Sequence, residues 1–212
     1  MKTQAQISAI IEELKKLYPD ALCSLEYQKD YELLFSVRLA AQCTDARVNL
    51  VTPALFARFP TLEAFAAATP DEVGEYVRSC GFWRAKAKDI VGSAQMLLHD
   101  FGGKVPDNMD NLLRLPGVGR KTANLVLGDI YGKEGYVCDT HCIRITGRLG
   151  ITDGSKDPLK VEQQLRKVIP SEESNNFCHR MVLHGRALCM ARGPKCEECP
   201  LKALCDYGAS RQ

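Results

Sequence analysis

The sequence predicts an all-α protein. Apolar residues recur at helical spacing along almost the whole chain, and strand-like alternation is nearly absent. Proline or glycine marks most breaks in that pattern. The spacing predicts helices at about 4–17, 30–41, 45–59, 61–68, 70–79, 83–100, 108–114, 119–131, 140–149, 157–168 and 172–190. The breaks fall at Tyr18-Pro19, Phe59-Pro60, Thr69-Pro70, Cys80-Gly81, Gly102-Gly103 and Gly132. One short piece, Tyr136–Cys138, reads as extended. There is no internal repeat and no low-complexity linker.

A chain of 212 residues suits one large or two modest domains. Its 45% hydrophobic and 25% charged content is ordinary for a globular protein. It has no apolar run of transmembrane length, and MKTQAQISAIIEELKK lacks a signal-peptide core, so the expected setting is cytoplasmic. A formal net charge of +2 does not identify a nucleic-acid binder, so any anion site must come from local clustering.

Residues 115–124 read LPGVGRKTAN. Pro116 and Gly117 form a turn signature, and a helix-forming run starts near Arg120. A glycine turn that opens into a helix presents unpaired backbone N–H groups, which can receive a phosphate. Lys121 sits at the positive end of that helix dipole, a placement that mildly disfavours an ammonium. The lysine therefore reads as either a phosphate contact or a nucleophile.

Ten cysteines is high for a chain without an export signal, so metal or cluster ligation is the better default than disulfides. Residues 189–205 read CMARGPKCEECPLKALC, with Cys189, Cys196, Cys199 and Cys205 separated by six, two and five residues. Four thiolates in so short a span can close around one [4Fe–4S] cube, one cysteine per iron. Structural zinc is the competing reading, but zinc sites usually pair two close-set knuckles. Four unrelated buried cysteines are the remaining alternative. The loop carries Arg192 and Lys195, which suit phosphate contact.

With both motifs in view, the chain resembles the endonuclease III family, bifunctional DNA glycosylases of the helix-hairpin-helix superfamily that carry an iron–sulfur cluster. LPGVGRKTAN, VCDTHCIR, LHGRALC and the cysteine quartet carry the resemblance, in that order, over nearly the whole chain. It implies two helical lobes with a DNA-binding cleft. Residues 23–133 would form a six-helix lobe with the hairpin, and 1–22 plus 134–212 a lobe with the cluster. It also implies removal of oxidised pyrimidines from duplex DNA in base excision repair, with β-elimination at the abasic site. The expected partner is double-stranded DNA with damaged pyrimidines or abasic sites, and the expected form is a nucleoid-associated monomer.

By the same resemblance Lys121 matches the nucleophile and Asp139 the catalytic aspartate. A free lysine amine, with a pKa of about 10.4, is almost wholly protonated at neutral pH. Activation then needs desolvation, the helix N-terminus, or neighbouring charge such as Arg120. Asp139 alternatively caps the helix starting at Thr140. Gln42 matches an intercalating residue that fills the gap left by an extruded base. Cys80, Phe82 or Trp83 could press against bases beside it, Trp83 being as readily a core residue. Leu115, Gly117, Gly119, Arg120, His141, Arg144, Arg192 and Lys195 are the further expected DNA contacts. Arg84, Lys86 and Lys88 could track the backbone too, although the two lysines read equally well as a solvated helix face. Cys23, Cys43, Cys138, Cys142 and Cys178 read as small buried hydrophobes.

Three other readings differ in the chemistry they need. An adenine-mismatch enzyme usually lacks the lysine and carries a further domain after the cluster. A mismatched-thymine enzyme would release base without nicking. A non-catalytic DNA-binding module would have no use for the pair Lys121 and Asp139.

Overall fold

The computed structural model describes residues 2–210, and no strand occurs among them. Twelve α-helices follow in order: α1 Gln4–Leu17, α2 Asp30–Ala40, α3 Asp45–Arg58, α4 Leu62–Ala67, α5 Pro70–Val77, α6 Trp83–Phe101, α7 Met109–Leu112, α8 Arg120–Tyr131, α9 Thr140–Leu149, α10 Pro158–Val168, α11 Ser174–Ala187 and α12 Asp206–Ala209. The expected helices are present with ends shifted by a few residues, apart from 172–190. That stretch begins as a 3-10 turn, Ser171–Glu173, and α11 stops at Ala187.

Most helix starts are written in the sequence. Thr3 and Thr69 close capping boxes with Gln6 and Glu72. Thr44, Thr61, Asn108, Asp139 and Asp157 each accept a backbone N–H from the turn they open. Pro70 and Pro158 occupy the first helical turn, where the missing N–H costs nothing. The piece Tyr136–Cys138 is not a strand. Cys138 N–H bonds to Tyr136 O at 3.0 Å and Asp139 N–H to Val137 O at 2.9 Å, two successive three-residue turns. Both amides are spent on these local turns and not on a strand ladder.

The chain divides into two compact units. One runs over Cys23–Tyr131; the other takes the described residues before and after it. In the first unit α6 packs along α4 and α5, and α2 packs on α3, α6 and α8. Its core holds a ring cluster in which Phe65 meets Phe35 at 5.0 Å and Phe59 at 5.1 Å between centroids. In the second unit α11 packs on α1 and α9, and α12 on α9. Ile7, Ile10, Ile11 and Leu14 give α1 one fully buried stripe, at the spacing of an amphipathic helix.

Candidate active site

In the first unit the hairpin turn is closed by Val118 N–H donating to Leu115 O at 3.1 Å. Gly117 takes φ +71° at its third position, which glycine accepts and other residues rarely do. The turn rests on an ion pair. Arg38 Nε lies 2.7 Å from Asp89 Oδ2, and a Cβ on Gly117 would stand 2.4 Å and 2.5 Å from those two atoms. Ser93 Oγ on α6 donates to Pro116 O at 3.1 Å. Gly119 is different, because a Cβ there would meet nothing within 4 Å. Gly117→Ala is therefore expected to destabilise the protein by about 2 kcal/mol through strain and overlap. Gly119→Ala should leave the melting temperature near wild type and weaken duplex binding alone. Thermal melting beside a DNA titration separates the two effects.

Helix α8 opens directly after this turn, with its first bond from Ala123 N–H to Gly119 O at 3.0 Å. Amides ahead of that bond face outward by helix construction, the arrangement that receives an anion. Arg120 and Lys121 occupy this first turn and both are exposed. The Leu115 side chain is not available as a contact: it is 2% exposed, inside the core. Any contact from Leu115 to DNA is thus made by its backbone.

Only Gln42 and Phe82 among the described non-glycine residues have positive φ, 55° and 44°. Both are exposed, Phe82 by 72% of its surface. Of the three expected partners for Gln42, Cys80 is buried. Trp83 packs over Gly74, with the guanidinium groups of Arg78 and Arg84 5.7 Å and 4.3 Å from its ring centroid. Phe82 alone projects. Lys86 is not on a solvated face, being 1% exposed.

In the second unit Asp139 caps α9, its Oδ1 accepting Cys142 N–H at 2.7 Å. The side chain remains half-buried. Arg144, expected on the DNA backbone, is turned inward. Its Nη2 donates to Cys189 O at 2.9 Å and to His141 Nδ1 at 3.1 Å. Its guanidinium braces the loop instead, and His141 packs closely over Gly185. Arg192 and Lys195 are exposed, and Lys195 Nζ stands 3.8 Å from Glu198.

The four cysteines expected as ligands all line one pocket, together with Arg148, His184 and Leu201. Among the described residues no three His, Cys, Asp or Glu side chains stand close enough to hold a single metal ion. Four cysteines about one pocket suit a [4Fe–4S] cube, which takes one cysteine per iron. Burial raises the Cys199 and Cys205 thiols above their ordinary range. Burial also pushes His184 down to about 4, so it stays neutral beside Cys199 Sγ, 3.6 Å away.

Arg148 was not expected at this site. Its Nη1 lies 3.3 Å from Cys189 Sγ and donates to Met190 O at 2.7 Å, while Nη2 donates to Ala191 O at 3.1 Å. The available signal was its spacing of four from Arg144 on α9, which puts both guanidinium groups on one helix face. The remaining cysteines divide. Cys138, Cys142 and Cys178 are buried together, with hydrogen bonding from the other two raising the Cys142 thiol well above its ordinary range. Cys23 and Cys43 are only half-buried.

Residues 35–171 match the HhH-GPD superfamily of base excision DNA repair proteins, and 189–205 match the iron–sulfur binding domain of endonuclease III. The chain is 49% identical to endonuclease III of Synechocystis sp., over 91% of this chain and 88% of that one. It is 40% identical to endonuclease III of Bacillus subtilis, over 97% and 94%. Among solved structures it is similar to a trapped endonuclease III–DNA covalent intermediate in an estranged-adenine complex. The TM-score is 0.93 at 42% identity, covering 100% of this chain and 99% of that one. A thermostable thymine-DNA glycosylase shares the fold, with TM-score 0.85 at 20% identity over 97% and 98%.

Proposed function

We propose, from the premise that the chain belongs to the HhH-GPD superfamily and within it to the endonuclease III family, that Lys121 is the nucleophile and Asp139 the carboxylate of a glycosylase and abasic-site lyase. The protein is a bifunctional base excision repair enzyme with a [4Fe–4S] cluster. The observation that supports Lys121 is its place: exposed, in the first turn of α8, two residues past Gly119, whose open face admits a DNA backbone. Oxidised pyrimidines in duplex DNA are the proposed substrates, and a monomer acting at the nucleoid the proposed form. No helix among the described residues is long and apolar enough to cross a membrane.

In this reading the hairpin amides and Arg120 hold the phosphates beside the damaged nucleotide, and Gln42 with Phe82 fill the gap when the base leaves the stack. Lys121 Nζ attacks C1′ of the sugar. The C1′–N bond to the base breaks, and its electron pair leaves with the base, which takes up a proton. The C1′–O4′ bond then opens, O4′ keeps its electron pair and takes up the proton that the amine loses, and the Schiff base forms. Removal of a C2′ proton then expels the 3′ phosphate, so the strand is nicked. The Asp139 carboxylate opposes positive charge on the sugar as the base departs and can accept protons during elimination.

The cluster, when bound through Cys189, Cys196, Cys199 and Cys205, supplies a rigid core to its loop. Arg144 and Arg148 hold that loop from α9 by its carbonyls, and Arg192 and Lys195 are carried outward on it to meet phosphate. Asp139→Asn separates the two roles of Asp139, because asparagine caps a helix about as well as aspartate. The variant is expected to melt near wild type and to release base roughly 100-fold more slowly or worse. A fall in stability with unchanged chemistry would leave Asp139 as a cap only. Strand cutting of duplexes carrying thymine glycol or dihydropyrimidine tests the substrate class. Base release from a thymine mismatch without nicking would point to the monofunctional reading.

A further inference from the structure

Lys86 is the fourth residue of α6, its side chain almost wholly buried, and it takes part in none of the ion pairs found among the described residues. Its Nζ donates to Leu39 O at 2.8 Å and to Cys80 O at 2.5 Å. Leu39 is the next-to-last residue of α2, and Cys80 ends the 3-10 turn Arg78–Cys80. Helix ends are where carbonyls run out of backbone partners and where the dipole favours a cation. One buried amine thus closes two chain ends together. Three residues past Leu39 stands Gln42, and two past Cys80 stands Phe82. These are the two positive-φ residues described above, held in a conformation that side chains rarely adopt and that persists only where the surroundings enforce it. The thiols of Cys43 and Cys80, one from each turn, are close enough to interact, so the two turns are neighbours.

We propose that Lys86 is a positioning residue of base extrusion, the buried strut that sets Gln42 and Phe82 as the two prongs of one wedge. The inference rests on the reading of those two side chains as the residues that fill the gap. A hydrophobic core alone would not select a lysine here. An apolar side chain of similar length would fill the same space without burying a charge, but it would leave the Leu39 and Cys80 carbonyls without this donor. The amine therefore serves the geometry of the two turns. Unstacking the target base requires both prongs to enter the duplex at fixed positions, and a misplacement of about 1 Å can cost on the order of 100-fold in rate.

The test compares two labelled substrates with the same abasic site, one in a fully paired duplex and one inside an unpaired bubble that is already unstacked. Wild type, Lys86→Met, Gln42→Ala and Phe82→Ala are assayed as cluster-loaded protein, with kcat and KM separated. Lys86→Met is expected to lose about 100-fold in kcat/KM on the paired duplex and to stay near wild type on the bubble. Equal losses on both substrates would make Lys86 a fold-supporting residue only and overturn the proposal, as would full activity of Lys86→Met on the paired duplex. Full paired-duplex activity in both Gln42→Ala and Phe82→Ala would instead remove the wedge reading beneath the proposal, and the proposal with it. Should Lys86→Met fail to fold, Lys86→Gln, which keeps an N–H donor, is read in the same way: the same bias toward the bubble supports the strut, and parallel losses overturn it.

Discussion

Lys121→Ala is expected to abolish strand nicking and Schiff-base formation while leaving the protein folded and able to bind duplex DNA. The side chain is exposed and alanine is the best helix former, so the substitution should be neutral or slightly stabilising for α8. The hairpin turn does not depend on it: Leu115, Pro116 and Gly117 are held by Arg38, Asp89 and Ser93. Loss of one phosphate contact would lower affinity and reduce the salt slope by about one unit. Loss of the nucleophile removes the covalent path altogether, an effect of several orders of magnitude. Parallel measurement of nicking and of salt-dependent binding distinguishes them. A Lys121→Ala protein that still nicked, with only weaker binding, would return the residue to the role of a phosphate contact.

Cys199→Ser should have the second largest effect, of a different kind. Between 189 and 205 only Leu201 is buried, so the loop has almost no core of its own to offset the entropy of ordering it, about 1–2 kcal/mol per residue for the backbone. A serine hydroxyl is a far poorer ligand for cluster iron than a thiolate, and the variant is expected to lose the visible absorbance of the cluster. Trypsin should then cut at Arg192, Lys195 or Lys202, which are protected by loop order in the loaded protein. Because Arg192 and Lys195 ride on this loop, DNA binding should weaken and its salt slope fall by about one to two units. The damage should appear in KM more than in kcat, since the loop carries the phosphate contacts Arg192 and Lys195 and neither Lys121 nor Asp139. Retention of tryptic resistance and of DNA affinity without the cluster would contradict the proposed role of the metal group.

The helices were readable because their signals are local. Capping residues, prolines and apolar spacing act within one or two turns, and Asp139 caps α9 as its position before Thr140 promises. The hairpin was readable for the same reason. What escaped the sequence depends on partners distant in the chain. Lys86 looks like a solvated helix residue until α6 brings it to Leu39, 47 residues earlier. Arg144 and Arg148 look like a basic face until the loop after α11 places carbonyls and a sulfur against them. The short turns at Cys196–Glu198 and Lys202–Leu204 and helix α12 carry no periodic signal, because they follow the cysteine spacing rather than a buried stripe. Phe82 could not be told from Cys80 or Trp83 by type; its left-handed backbone is what turns it outward.

The most direct test of the catalytic assignment is to trap the enzyme on its substrate and find the bond. Wild-type protein is incubated with a duplex bearing one thymine glycol, reduced with borohydride, and the adduct digested and mapped by mass spectrometry. The expected result is a sugar remnant on Nζ of Lys121 and no adduct with Lys121→Ala. An adduct at another lysine, or base release by the wild type with no adduct at all, would contradict it.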